Sequence, residues 1–281
     1  MKENRYFPYI SERDLAVDRQ VRALLSRMPI TLATRLYSIY ALVHPHRSYV
    51  RYECGNEYTI AHLRDEVVYF PSPIPVMKLL HTSCHYKKWL GRKYSYPGFV
   101  EVEPNDVVVD CGAFVGGFSL SVIDIASHVY VFEPGRDNYR CLQRNLGRYK
   151  NASLERAGLY DKTGEFQFNI SPNAVEHSLL APDDNEINEV VTIKAYTLTD
   201  YLKGKGISHI DFCKVEAEGV EPEIIGGAGG VCVRKYAIDC SPERNGKSPV
   251  DEIVAKLFER GYEIRQRGFN LYARFKDECN Q

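Results

Sequence analysis

The sequence predicts an α/β protein in which an open sheet over residues 99–281 is preceded by a helix and hairpin extension over 1–98. Two observations carry this. From Glu101 onward the chain repeats strand, short glycine or acidic turn, helix, strand, which is the rhythm of an open sheet covered by helices. Before that point it shows helical spacing up to about Arg47 and then near-alternation of apolar residues from Tyr49 to Phe70.

In the extension, Leu15, Val21, Leu24 and Leu25, then Leu32, Leu36, Ile39 and Leu42, recur at helical spacing. The segment YVRYECGNEYTIAHLRDEVVYF reads as strands joined by a turn around Gly55-Asn56, and PSPIP after it is a breaker. Between His81 and Tyr96 stand His81, His85, Lys87, Lys88, Arg92 and Lys93 with no acidic residue among them. Such a run is either a solvated helix face with Trp89 and Leu90 turned inward or a docking surface for an anionic acceptor.

In the sheet region, strands are expected at 106–110, 128–133, 153–157, 165–170, 190–194, 209–216 and 235–240, with a terminal pair around 262–275. Helices are expected over Phe118–Ala126, Arg136–Tyr149 and Val250–Arg260. The last is well punctuated: Ser248 can cap it, Pro249 fits its first turn and Gly261 can adopt the left-handed exit.

Composition narrows the function classes. The 281 residues are 44% hydrophobic and 26% charged, the balance of a folded protein. With 36 basic and 37 acidic residues, the net charge of -1 gives no global attraction to nucleic acid. The N-terminal segment lacks the apolar core of a secretory signal, and Ile30–Val43 is interrupted by Arg35 and too short to span a bilayer. The eight cysteines form no CxxC pair or Cys/His cluster, so no metal site is expected, and buried thiols in a cytoplasmic protein are.

The segment VVVDCGAFVGGFSLS over 107–121 carries the main chemistry. A buried strand ends in Asp110, a glycine turn follows, and a helix begins, a place where open α/β sheets bind ligands. Gly112, Gly116 and Gly117 allow close passage of backbone past a ligand. The next strand ends in VFEP, setting Glu133 where a carboxylate can accept both hydrogen bonds of a ribose diol. Dinucleotide-binding folds share that acid, but here the glycines read G-x-x-x-G-G, and Asp110 directly precedes the loop. A pyrophosphate is repelled by such a carboxylate, whereas an ammonium or sulfonium is attracted.

On these residues the chain from about Tyr96 to Phe275 resembles the FkbM family of methyltransferases. Val108, Asp110, Gly112, Ala113 and Gly116 match its first motif, and Phe132, Glu133, Pro134, Asn138, Leu142 and Asn145 its second. Asp211, Lys214, Glu216, Glu218, Gly219 and Glu221 are similar to its late motif, and YTLTDYL over 196–202 to the element before it. Phe114 stands where the family usually has asparagine, and Glu216 where it usually has aspartate.

The resemblance implies a Rossmann-like class I methyltransferase sheet of seven strands, mainly parallel with an antiparallel terminal hairpin. It also implies S-adenosyl-L-methionine as methyl donor, with a cofactor pocket formed by Asp110, Gly112, Ala113, Phe114, Gly116, Glu133, Pro134 and Glu216, and adenine near Ala157. The implied acceptor is a small molecule or glycan, methylated on a hydroxyl oxygen of a sugar, glycan or secondary metabolite. A hydroxyl must lose its proton, and the candidate bases are Glu216, Glu218, Asp239 and His177 in the loop NAVEHSLL. Structural roles stand beside these: Glu218-Gly219 can shape a turn, Lys214 can neutralise the carboxylates, and a lone loop histidine can simply be solvated. The rival readings are an idle methyltransferase-like binding module and a nicotinamide-dependent oxidoreductase.

Overall fold

The computed structural model describes residues 12–43, 49–64, 66–80, 86–170, 189–244 and 246–276. Its contacts divide the chain into two compact units, Met1–Lys93 and Tyr94–Gln281. The division falls earlier than the expected 98/99 because Tyr94 meets Phe118 edge-on, Tyr96 meets Tyr272, and Tyr96 forms a β-bridge with Val100.

The N-terminal unit contains helices α1 (Glu12–Leu25) and α2 (Ile30–Val43), strands β1 (Arg51–Cys54), β2 (Tyr58–His62) and β3 (Val67–Pro71), and helices α3 (Val76–Leu80) and α4 (Tyr86–Lys93). The three strands form an antiparallel sheet in chain order, and Gly55 N–H donates to Tyr58 O across the expected turn. Leu25, Ala33, Tyr37 and Leu80 form the helical core. Within it, Tyr37 Oη and Arg22 Nε both donate to the fully buried Asp18 carboxylate, each at 2.8 Å.

An apolar stripe is ordinarily the core face of a helix, but α2 reverses this. Ala33, Thr34, Tyr37, Ser38 and Ala41 point inward, while Leu32, Leu36, Ile39 and Leu42 are 47%, 40%, 62% and 66% exposed. The inward hydroxyls are satisfied locally: Thr34 donates to Ile30 O and Ser38 to Val50 O. In α4 the inward residue is Tyr86, packed edge-on to Phe70, with Trp89 and Leu90 only half-buried. Lys87 pairs with Glu66; His81 and His85 lie outside the described residues.

The C-terminal unit is built on a seven-stranded sheet. Its strands are β4 (Val107–Cys111), β5 (His128–Phe132), β6 (Ala152–Glu155), β10 (His209–Val215), β11 (Cys232–Asp239), β12 (Tyr262–Arg267) and β13 (Asn270–Phe275). The spatial order is β12-β13-β11-β10-β4-β5-β6; the pairs from β11 to β6 are parallel, and β13 is antiparallel to both neighbours. This is the mainly parallel sheet with a terminal hairpin that the sequence resemblance implied.

Two further strand candidates leave this sheet. β8 (Gly164–Ile170) and β9 (Glu189–Tyr196) join the short β7 (Gly158–Leu159) in a separate three-stranded sheet of order β7-β9-β8. The covering helices are α5 (Gly117–Val122), α6 (Arg136–Leu146), α7 (Leu198–Lys203), α8 (Glu221–Gly227) and α9 (Val250–Glu259). Ser248 Oγ accepts from Val250 N–H at the start of α9, and Gly261 leaves that helix at φ +84°. The central strands β4 and β10 are buried on both faces, which explains their near-continuous apolar runs. Val109, Phe132, Ile210, Val215, Ile225 and Ile238 lie in the shared core.

Cys54, Cys111, Cys141, Cys213 and Cys240 are free thiols, whereas Cys232 is disulfide-bonded, so the expectation of thiols throughout fails at Cys232. Among the described residues, no helix is long and apolar enough to cross a membrane.

Candidate functional site

Parallel pairing brings the carboxyl ends of five strands to one edge. Lys214 registers with Asp110 and Val215 with Cys111, while Cys111 registers with Phe132 and Phe132 with Glu155. Val215 also registers with Ile238. Asp110, the loop after it, Glu133, Ala157, Glu216 and Asp239 therefore share this edge. Glu218 lies just beyond it, and His177 lies outside the described residues.

The loop over 112–116 is fixed by internal bonds. Gly112 and Ala113 N–H both donate to Phe132 O, at 3.1 and 3.0 Å, and Gly116 N–H donates to Ala113 O. Phe114 N–H donates to Glu133 Oε2 at 2.8 Å, and Asn145 Nδ2 donates to Val115 O. These N–H groups are not free to cradle a pyrophosphate, which weighs against a dinucleotide loop.

The glycines act mainly within the protein. A Cβ on Gly112 would lie 1.6 Å from Glu216 O, so only glycine lets this loop close on the end of β10. Gly116, at φ +86°, abuts Leu142 and Leu146 of α6. The loop is thus clamped between β10 and α6. Phe114 sits at φ +54°, in the left-handed region that asparagine visits readily and bulky residues do not.

Glu133 is the best-formed ligand group. Besides Phe114 N–H, it accepts from Gly135 N–H at 2.9 Å and Asn138 Nδ2 at 3.3 Å. Burial pushes its carboxyl up to about 7, although these donors pull the other way. Each carboxylate oxygen has two lone pairs, so Oε2, with one donor, can accept a ligand hydroxyl. Oε1, with two donors, is filled, so the carboxylate offers a ligand one acceptor position.

Asp110 is fully buried and committed to the protein. Ser119 Oγ donates to its Oδ2 at 2.7 Å, and Lys214 Nζ lies 3.1 Å from Oδ1. Lys214, itself buried, also donates to Cys111 O at 3.1 Å and Gly112 O at 2.6 Å and stands 3.4 Å from Glu216 Oε2. Burial alone would lower its pKa, but Asp110 and Glu216 outweigh it and hold the ammonium above its ordinary value. The ring of Tyr94 closes over this ammonium at 5.3 Å. Tyr94 is buried too, and burial, with Glu216 and Asp239 adding, holds its phenol well up.

The acidic candidates differ in setting. Asp239 Oδ1 accepts from both the N–H and the hydroxyl of Ser241, shaping the turn after β11. Glu216 is partly exposed beside Lys214. Glu218 is half-buried at φ +51°, a strained conformation of the sort found at functional sites. Behind it, buried Glu221 accepts from Ala217 N–H at 2.8 Å and Gly219 N–H at 3.2 Å through Oε1. Glu221 Oε2 has no hydrogen-bond partner among the described residues, and burial pushes this carboxyl up to about 7.

Lys214 as a hub, Tyr94 and Glu221 were not singled out as site residues from the sequence. The late acidic and lysine pattern contained two of them; Tyr94 carried no motif signal. Among the described residues no group of three or more His, Cys, Asp or Glu side chains could hold a metal. A cavity of about 310 Å³ opens at the opposite, amino-terminal edge of the strands, near Glu103, Arg234 and Lys235. Its cations are engaged by acids, Arg234 and Lys235 with Glu103 and Asp106 and Arg274 with Glu263, which makes it a poorer place for a ligand anion.

Two stability measurements check this geometry. Phe114→Asn should relieve the left-handed strain and stabilise the protein by about 1 kcal/mol in urea unfolding; destabilisation would show that the aromatic packs productively. Glu221 is ionised more readily unfolded than folded, so its contribution to stability declines as pH rises from 4.5 to about 7. The melting temperature should fall across that window and fall less in Glu221→Gln; identical slopes would contradict the buried, raised carboxyl.

A family model described as Methyltransferase FkbM domain matches residues 110–264. The chain is 28% identical over 196 residues to Methyltransferase sdnD of Sordaria araneosa, covering 57% of this chain and 74% of that one. Among solved structures it is similar to precorrin-6y C5,15-methyltransferase from Geobacter metallireducens, at 10% identity and TM-score 0.42 over 75% of this chain and 93% of that one. It is also similar to magnesium protoporphyrin IX methyltransferase from Synechocystis with bound SAM, at 13% identity and TM-score 0.38 over 62% and 71%. These structural likenesses are too slight to bear on substrate. The family match, which spans more than half of the chain and includes both Asp110 and the late acidic motif, shows that the chain belongs to the FkbM methyltransferase family.

Proposed function

We propose that this methyltransferase uses S-adenosyl-L-methionine to methylate a hydroxyl oxygen of a sugar, glycan or secondary metabolite. The observation that carries the cofactor reading is Glu133: a buried carboxylate with spare acceptor capacity on Oε2, held against a loop in which the N–H groups of Gly112, Ala113, Phe114 and Gly116 are already bonded. Pro134 fixes the chain beside it, and the region of Ala157 at the end of β6 is the place for the adenine ring. When bound, the cofactor supplies an electrophilic methyl group on a sulfonium.

The remaining tasks fall to the chain's own residues. The carboxylate edge of Glu216 and Glu218 favours a cation nearby, while Lys214 keeps Asp110 and Glu216 from repelling each other. Methyl transfer to a hydroxyl releases a proton, and Glu218 is best suited to accept it. It is half-buried beside the acidic edge and held at φ +51°, a strained conformation of the sort that persists at functional sites. Glu221 supports this role by holding the N–H groups on either side of Glu218. A cytoplasmic location accords with the five free thiols among the described residues, and the disulfide at Cys232 counts against it.

Calorimetric titration with S-adenosylhomocysteine tests the reading. Binding should be on the order of micromolar, weaken at least about tenfold in Glu133→Ala, and be absent for NAD. Wild-type affinity should fall as pH drops below about 7, where Glu133 takes up a proton and loses acceptor capacity. Failure of the wild type to bind would favour an idle binding module; binding of NAD would favour an oxidoreductase.

A further inference from the structure

The two units carry opposite charge. Residues 1–93 hold fifteen Lys and Arg against eight Asp and Glu, a net charge of +7 within a chain whose total is -1. Helices α2, α3 and α4 contain no acidic residue at all. In the same unit Leu32, Leu36, Ile39 and Val43, spaced four, three and four apart, form one stripe along the outer face of α2, and Val43 is 82% exposed. Leu42 flanks this stripe at 66%, and Leu24 on α1 is 59% exposed. Arg19, Arg27 and Arg35 are exposed, and none of them is engaged by an acidic side chain among the described residues.

We infer that the outer face of α2 is a membrane-surface element, which lays its apolar stripe into the interface of an anionic bilayer while Arg35 and the positive charge of its unit meet lipid headgroups. An apolar helix face flanked by the exposed Arg35, in a unit of net charge +7, is matched by a layer that is apolar inside and negative at its surface. Long arginine side chains can keep their charge at headgroup level while their stems lie along apolar surface. A second copy of the chain is a poorer partner. A two-fold contact through this face would bring one +7 unit against another. The helix is too short to span, so the association is peripheral.

The test is cosedimentation of the full chain with phosphatidylcholine vesicles made with and without phosphatidylglycerol, over a salt series, with light scattering of the protein alone. Binding to the anionic vesicles should exceed binding to neutral ones at least about tenfold and weaken as salt rises. It should be lost in Leu36→Glu/Ile39→Glu, surface changes expected to leave the circular dichroism spectrum and melting temperature unchanged. Absence of binding to the anionic vesicles would overturn the inference. So would undiminished binding by the double variant, which would mean charge alone acts. A dimer that the double variant abolishes, without vesicle binding, would assign the face to a second copy instead.

Discussion

An ammonium group removed from water stays charged only where acceptors and opposite charge replace the water: Lys214 donates to the carbonyls of Cys111 and Gly112 and lies within ion-pair distance of the carboxylates of Asp110 and Glu216. Those acceptors belong to two neighbouring strands and to the loop that follows one of them. One buried cation thus joins the end of β4 to the end of β10 and holds the glycine turn in place. Removing it would leave Asp110 an uncompensated charge in the interior, so the loop, the acidic edge and the strand pairing depend on it together.

Around this centre the site is mostly polar groups holding one another. Glu133 ties the β4 loop to the start of α6 through Phe114, Gly135 and Asn138, and Asn145 reaches back to Val115. Glu221 performs the same service for the turn that carries Glu218. Several motif residues are therefore positioning groups. Asp211 shows this plainly: it lies at the opposite end of β10 from the acidic edge, accepting from Val107 N–H and His209.

Much of this was legible in the sequence. Apolar runs such as VVVDC ended by glycine turns defined the parallel strands, and the acids at 110, 133 and 216 fell at strand ends because the β-to-α turn always lies there. What stayed hidden depends on which group meets which in space. No spacing shows that Gly112 is needed to clear Glu216 O, or that the N–H groups of Gly112 and Ala113 are spent on Phe132 O. Nor can period alone orient α2: with apolar residues all round, the larger side chains looked like the core face, but the small ones pack inward. The separate sheet of β7, β8 and β9 was likewise invisible, since strand signals do not say which sheet a strand joins.

The central claim is that the cofactor sits on the β4 loop and Glu133, at the carboxyl edge organised by Lys214. Amide hydrogen exchange with and without S-adenosylhomocysteine addresses it most directly. The account predicts added protection confined to residues 110–117, 132–138 and 155–158, with exchange at the opposite edge around 101–106 and 234–235 unchanged. Protection at that opposite edge, with none at the loop or at Glu133, would contradict it.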